Sequence, residues 1–466
     1  MTINYRSIGA RKQLFRVMAV VFVAWLPYVV MSWPGNVTND SGSGILYYYG
    51  IDRSNPNNPF FQNFLMGSWL DIWSRILGSS VMAVSLYCLC QMVIEIIVIS
   101  TFWTYLYQKQ INRLALYAVL ILYCLVPAFP LYSLTMGKDS NLGIAVMAYE
   151  YFALQAVIET EQYISERHIL FKLSIMTIII SLLRNHAGIL GLSGILILLL
   201  YKKDKKTSIC MFSTSIMVLI CTSIFPYALG MPKPEIKESM SIPLQTVAYY
   251  VNTFPEELSD ADLEAIYSII PQEAILAYDP EIADPVKNPA KLTKDNIYDF
   301  LDLWLGMLRR HPLAMLKAFY RSTNAYYIPH ITTSVRVHVW IGFMVISPEA
   351  MAILTAGEEI GFPYRNTLEN TDRMALNLPV LGLFSKIGLY SWALLYGLFL
   401  IVHKKMYRYL HCIVPLLLIF LGCLFSPVNG YYRYAYSYIL STPIVMAAVL
   451  FLKLTPHTGT ASTALS

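Results

Sequence analysis

The chain has 466 residues, of which 56% are hydrophobic and only 14% charged, and its mean hydropathy is +0.51. Soluble chains carry about a quarter charged residues. The apolar residues here also gather in blocks of roughly 15–25, enough to cross about 30 Å of hydrocarbon. This excludes an ordinary soluble enzyme and points to a polytopic membrane protein. The net charge of +5 is no argument for nucleic acid, because Lys and Arg cluster at the ends of the apolar blocks.

In chain order, the apolar blocks predict ten spans, near 14–32, 79–107, 114–130, 141–158, 169–183, 187–201, 208–229, 384–402, 410–425 and 435–452. The first follows Arg6, Arg11, Lys12 and Arg16 and runs into Trp33-Pro34-Gly35, not a small-residue cleavage site, so it reads as a retained anchor. Lys109 and Arg113 lie between spans two and three, Lys202, Lys203, Lys205 and Lys206 after span six, and Lys404, Lys405 and Arg408 after span eight. Short basic loops belong on the cytoplasmic side, which predicts both termini cytoplasmic. Spans five and six are short for a full crossing and form a hairpin tipped by Arg184-Asn185-His186.

Three regions are then expected to face outward. The loop 33–78 holds Asp40, Asp52, Arg53, Asn57, Asn58 and Asp71, and its second half, Phe60 to Leu77, reads as an interfacial helix. The turn Gly137-Lys138-Asp139-Ser140 opens span four. An insert at 231–383 holds most of the acidic residues; Pro255-Glu256-Glu257 and Ser259-Asp260-Ala261-Asp262 look like helix starts. The expected fold is an all-α polytopic membrane protein. It has an N-terminal module 1–230 of about seven spans, a mostly α extracytoplasmic domain 231–383 long enough for its own core, a C-terminal module 384–453, and a polar, disordered tail 454–466. All seven cysteines (Cys88, Cys90, Cys124, Cys210, Cys221, Cys412, Cys423) fall in apolar segments, where thiols behave as small hydrophobes.

Five polar positions carry candidate chemistry. Asp40, in Asp40-Ser41-Gly42-Ser43-Gly44, has the chemistry of a general base or a ligand to a divalent metal; it equally suits an Asx-type turn or a helix cap. Asp139 is open to the same two readings, and topology brings its turn to the face that carries Asp40. Arg184 sits at a span boundary, where a guanidinium either anchors at the interface or meets an anion such as a lipid phosphate. Arg433, between aromatics in Asn429-Gly430-Tyr431-Tyr432-Arg433-Tyr434, is open to those alternatives too. Glu95, within span two, costs a few kcal/mol unless it faces a polar interior. His311, His330 and His338 lack zinc spacing, and Asn36-Val37-Thr38 is a weak glycosylation match. No Walker loop, dinucleotide fingerprint or Gly-x-Ser-x-Gly elbow is present, which argues against a nucleotide-sugar donor or ATP drive.

These pieces resemble the GT-C superfamily of polytopic glycosyltransferases, which use polyprenyl-phosphate-linked sugars, and more narrowly a bacterial membrane-protein family of that group. The matching elements are Pro34-Gly35 with Asp40-Ser41, Asn58-Pro59-Phe60, Lys138-Asp139, Arg184-Asn185 and Asn429-Gly430-Tyr431-Tyr432-Arg433-Tyr434. The resemblance implies Asp40 as catalytic or metal-orienting acid and Asp139 as its partner, with Mg or Mn as possible metals. It also implies Lys138, Arg184, Asn185, Arg433, Asn429 and Asn58 at the substrate. Many relatives have His-Pro where this chain has Asn58-Pro59, and asparagine cannot titrate. The implied reaction transfers a sugar from a polyprenyl-phosphate donor to an envelope glycan, lipid or protein at the outer face of the bacterial cytoplasmic membrane. The rival reading is a non-enzymatic transporter or flippase of lipid-linked saccharides.

Overall fold

The computed structural model of the protein describes residues 8–53, 58–158, 167–184, 187–202, 205–331, 341–345 and 347–451. Asn57, Asn185, His186, Lys203, His338 and the tail after Phe451 lie outside the described residues.

The first half of the chain forms α1 (Ile8–Met31), α2 (Asn39–Tyr48), α3 (Phe60–Leu77), α4 (Ser80–Gln108), α5 (Arg113–Leu125), α6 (Ala128–Ser133), α7 (Lys138–Ile158), α8 (Arg167–Leu183), α9 (Gly188–Lys202) and α10 (Lys205–Leu219). Through a π-helical turn, α10 continues to Ala228. Local chemistry sets several of these ends. Ser79 accepts from the Met82 amide at the start of α4, and Asn112 accepts from Leu114 and Ala115 at the start of α5. Gly78, left-handed, ends α3.

A helix occupies each of the ten expected apolar blocks. Five are long and apolar enough to cross a bilayer: Ile8–Met31, Ser80–Gln108, Lys138–Ile158, Lys205–Ala228 and Tyr432–Phe451. The others, Arg113–Leu125, His168–Leu183, Gly188–Leu200, Ile387–His403 and Tyr407–Cys423, are apolar but shorter. The protein is thus an all-α, membrane-embedded protein. Within the bundle α7 and the helix Tyr432–Phe451 are mostly buried, whereas α1 and α10 leave most of their surface open. Gly143 permits the central packing: a Cβ there would lie 2.8 Å from the Tyr436 ring. Glu95 faces this interior, fully buried, and accepts a hydrogen bond from the Tyr436 hydroxyl at 2.6 Å.

The insert departs from the single unit expected at 231–383. Helices Ser241–Thr253, Asp260–Ile269, Ile297–Arg310 and Pro312–Thr323 enclose a separate core that includes Leu244, Tyr250, Ile266, Phe300 and Met315. Ser259 and Asp262 form a reciprocal capping box at the helix start read from the sequence. Farther along, Ile341, Phe343, Leu354 and Leu368 join the core of the bundle instead.

One small strand pair positions the candidate site. β1 (Asn36–Val37) lies parallel to β2 (Thr135–Met136), with Asn36 opposite Thr135. On its other side, Val37 donates to Gly342 O at 3.0 Å and accepts from the Met344 amide at 2.8 Å. The loop after α1 is therefore held between the turn before α7 and the insert.

Candidate functional site

β1 and β2 bring Asp40 and Asp139 to one pocket. The cap of α2 is Thr38, whose hydroxyl accepts from the Ser41 amide, so Asp40 is freed from the capping role the sequence offered it. Ser41 Oγ donates to Met136 O at 2.6 Å and ties α2 to β2. Gln91 of α4 holds the same turn by donating to Ser133 O and Thr135 O, each at 2.9 Å. Helix α7 starts at Lys138, so Lys138 and Asp139 project from its first turn, where a carboxylate meets the positive end of the helix.

The Asp40 carboxylate meets two cations: Oδ2 lies 3.0 Å from Lys138 Nζ and 2.9 Å from Arg433 Nη2. Asn58 orients both ends of this contact. Its Nδ2 donates to Asp40 O, and its Oδ1 accepts from Lys138 Nζ, both at 2.6 Å. Burial raises the Asp40 carboxyl, but Lys138 and Arg433 more than reverse this and hold it well below the usual carboxylate range. Asp139 Oδ1 pairs with Arg184 Nη1 at 3.1 Å, and its Oδ2 lies 3.8 Å from Arg433 Nε. That Nε is buried and makes no hydrogen bond. The Arg433 guanidinium lies 4.9 Å from the ring centre of Tyr431 and 5.0 Å from that of Tyr434, and the Arg184 guanidinium lies 5.4 Å from that of Tyr434.

Two cavities adjoin this network. The polar one is lined by Asp40, Ser41, Asn58, Gln62, Tyr132, Lys138, Asp139, Tyr431 and Arg433. Its free space is about 30 Å³, room for water but not for a sugar. The second, of about 260 Å³, is an apolar cleft between Leu142, Leu190, Leu418, Ile419 and Gly422, with Arg184 and Tyr434 at its polar end. Arg184 and Tyr434 thus stand between the ion-pair network and the cleft.

The structure gathers Asp40, Asp139, Lys138, Arg184, Arg433 and Asn58, but not every expected residue. Asn429 is buried and spent on the insert: Nδ2 donates to Arg321 O at 3.0 Å and to Asn324 Oδ1 at 2.8 Å, while Oδ1 accepts from the Ala325 amide at 3.1 Å. It clamps the insert to the bundle and has no free group for a substrate. Asn185 lies outside the described residues. Three cations surround the two carboxylates and leave the cluster one net positive charge. Among the described residues no group of three or more His, Cys, Asp or Glu could hold a metal. Sequence reasoning missed Tyr132, whose ring stacks on Tyr436 at 4.3 Å beneath the pocket, and Gln91; both sit in apolar runs that give no polar signal.

The profile of a family of unknown function (DUF6020) matches residues 54–462, and the chain belongs to that family. Lys138, Asp139, Arg184 and Arg433 fall within the matched region, and Asp40 precedes it. No curated protein and no solved structure matches the chain.

Proposed function

We propose that this member of the family is a membrane glycosyltransferase that moves a sugar from a polyprenyl-phosphate-linked donor to an acceptor at the outer face of the cytoplasmic membrane. The observation that carries this reading is the junction of an apolar cleft with a cationic, acid-containing pocket at Arg184 and Tyr434. A lipid-linked phosphodiester has that shape: a long apolar chain, one negative charge, and a polar sugar beyond it. The cluster's net positive charge matches that single anion, and Arg433 Nε, buried without a hydrogen bond, offers it a donor.

On this reading the ion pairs exchange in order. The donor phosphate takes Arg433 and Lys138 from Asp40, which opens the narrow pocket and returns the Asp40 carboxylate toward ordinary basicity. Asp40 then accepts the proton of the acceptor hydroxyl as that oxygen attacks the anomeric carbon from the face opposite the phosphate. The bond from the anomeric carbon to the phosphate oxygen breaks, and its electron pair leaves with the polyprenyl phosphate, stabilised by Arg433 and Lys138. Asp139 positions Arg184 and Arg433. Anomeric configuration inverts.

The same contacts support ten crossings. The β1–β2 pair requires that α4 and α5 together cross an even number of times, and the Arg184–Asp139 ion pair requires the same of α7 and α8. With the basic loops inside, both termini are cytoplasmic.

The test is release of labelled sugar from a polyprenyl-phosphate donor in membranes containing the parent, Asp40→Asn or Asp139→Asn. Turnover in Asp40→Asn is expected to fall by about 10² or more, typical of a lost positioned base, with donor binding retained. Unimpaired transfer in Asp40→Asn refutes the base assignment. Donor that crosses the bilayer without sugar release in the parent establishes the transporter instead.

A further inference from the structure

The helix Pro312–Thr323 buries Met315 and Ala318 in the insert, yet leaves Leu313, Leu316 and Tyr320 exposed at 79%, 58% and 45%. These positions share one helical face, spaced three and four residues apart. Arg309, Lys317 and Arg321 are exposed beside them.

Charge is unevenly spread along the insert, whose last part, 349–383, is again acidic. Residues 231–302 contain fourteen Asp and Glu against five Lys, whereas 303–348 contain no acid and five Lys and Arg. The acid-free stretch also meets a membrane helix. Beyond Thr323, Tyr326 O accepts from Ser391 Oγ at 2.6 Å and Tyr327 O accepts from Trp392 Nε1 at 2.7 Å. Both donors lie in the first turns of the apolar helix Ile387–His403. The backbone of Ile328 and Pro329 comes so close to Gly388 that a Cβ there would clash with it, at 2.9 Å from Pro329 N. Trp392 itself is exposed on the flank of that helix, and the Tyr320 ring stands 6.4 Å from that of Tyr327. The exposed face of Pro312–Thr323 therefore continues into an aromatic rim of the kind that marks a membrane–water boundary.

We propose that Pro312–Thr323 docks on the bilayer surface on the insert's side, with anionic lipid as its partner. Leu313, Leu316 and Tyr320 enter the boundary between headgroups and acyl chains, while Arg309, Lys317 and Arg321 meet lipid phosphates. This contact holds the insert's separate core at a fixed height over the bundle. It stands whether or not the protein transfers sugar.

The experiment uses the full-length protein in nanodiscs of phosphatidylcholine with phosphatidylglycerol. An environment-sensitive fluorescent amino acid replaces Leu316 or, as a control, the exposed Glu264 on the acidic part of the insert. Lipids carrying a nitroxide near the headgroup are expected to quench position 316 and leave 264 bright, and Lys317→Glu with Arg321→Glu is expected to reduce the quenching at 316. Both sites replace exposed side chains, so folding is not at stake. Equal emission at 316 and 264 overturns the proposal. So does energy transfer between labelled copies in place of lipid quenching, because that assigns the face to a second copy of the chain. Quenching that ignores the charge reversal refutes the headgroup contact.

Discussion

Asp40 shows how one residue's neighbours decide its chemistry. In sequence it is an acid among glycines and serines, as fit for a turn as for catalysis. In the structure Thr38 takes the cap, and Lys138 and Arg433 take the carboxylate. With 28% of its side chain accessible, Asp40 remains reachable from the pocket. Its stability effect has a definite sign. A carboxyl depressed in the folded protein contributes stability above the unfolded value of about 3.9 and loses it as pH falls toward the lower folded value. Asp40→Asn, which leaves two cations without their anion, should cost about 1–3 kcal/mol at neutral pH. The gap between the melting temperatures of parent and variant should narrow as pH drops below about 4. A gap that stays constant between neutral and acid pH, in thermal unfolding in detergent, would show that the ion pairs contribute nothing. Short motifs made Lys138, Asp139, Arg184 and Arg433 legible. The pairing among them was not legible, because contacts between residues 393 positions apart leave no local trace. Asn429 was misread for the same reason: a buried amide that clamps two segments has the same letters around it as one that binds a sugar.

At the scale of elements, apolar blocks and caps made the helices legible, and the two-residue strands were not, since so short a pair has no period to detect. Yet β1 sets the register of the site, and Gly35 lets the chain enter it. Its φ is +116°, and an added Cβ would lie 2.7 Å from Cys88 Sγ on α4. Gly35→Ala should therefore destabilise by about 1–3 kcal/mol from backbone strain alone and displace Asp40. Gly306→Ala makes the matched control: it lies in the helix Ile297–Arg310, and nothing stands within 4 Å of its added Cβ. Alanine there should be neutral or stabilise by up to about 1 kcal/mol. Thermal unfolding of the two variants decides it; a Gly35→Ala protein as stable as Gly306→Ala would remove the argument from strain.

For the whole molecule, the contacts decide which regions lie together, and the proposed sidedness rests on charge. β1 pairs with β2 and with the segment Gly342–Met344, while Glu281 O accepts from the Asn429 amide at 2.8 Å. The loop after α1, the turn before α7, the insert and the turn before the last helix thus share one face, whatever their orientation. Hydropathy alone predicted that grouping only through a count of spans, several of them short; the strand and ion-pair contacts supply it independently. Orientation rests on the basic loops. Lys205 and Lys206 stand at the far end of α9 and α10, and Lys404 and Lys405 follow the helix Ile387–His403. Placing these outside would put the pocket in the cytoplasm, where soluble nucleotide sugars are the ordinary donors. A membrane-impermeant maleimide on intact cells separates the two arrangements. The native cysteines lie in apolar helices, so Lys205→Cys and Glu264→Cys each add one thiol at a polar position. Glu264→Cys should react in intact cells, and Lys205→Cys only after the membrane is opened. The reverse pattern would leave the pocket's geometry intact but turn it inward, and the proposed donor at the outer face would have to be abandoned.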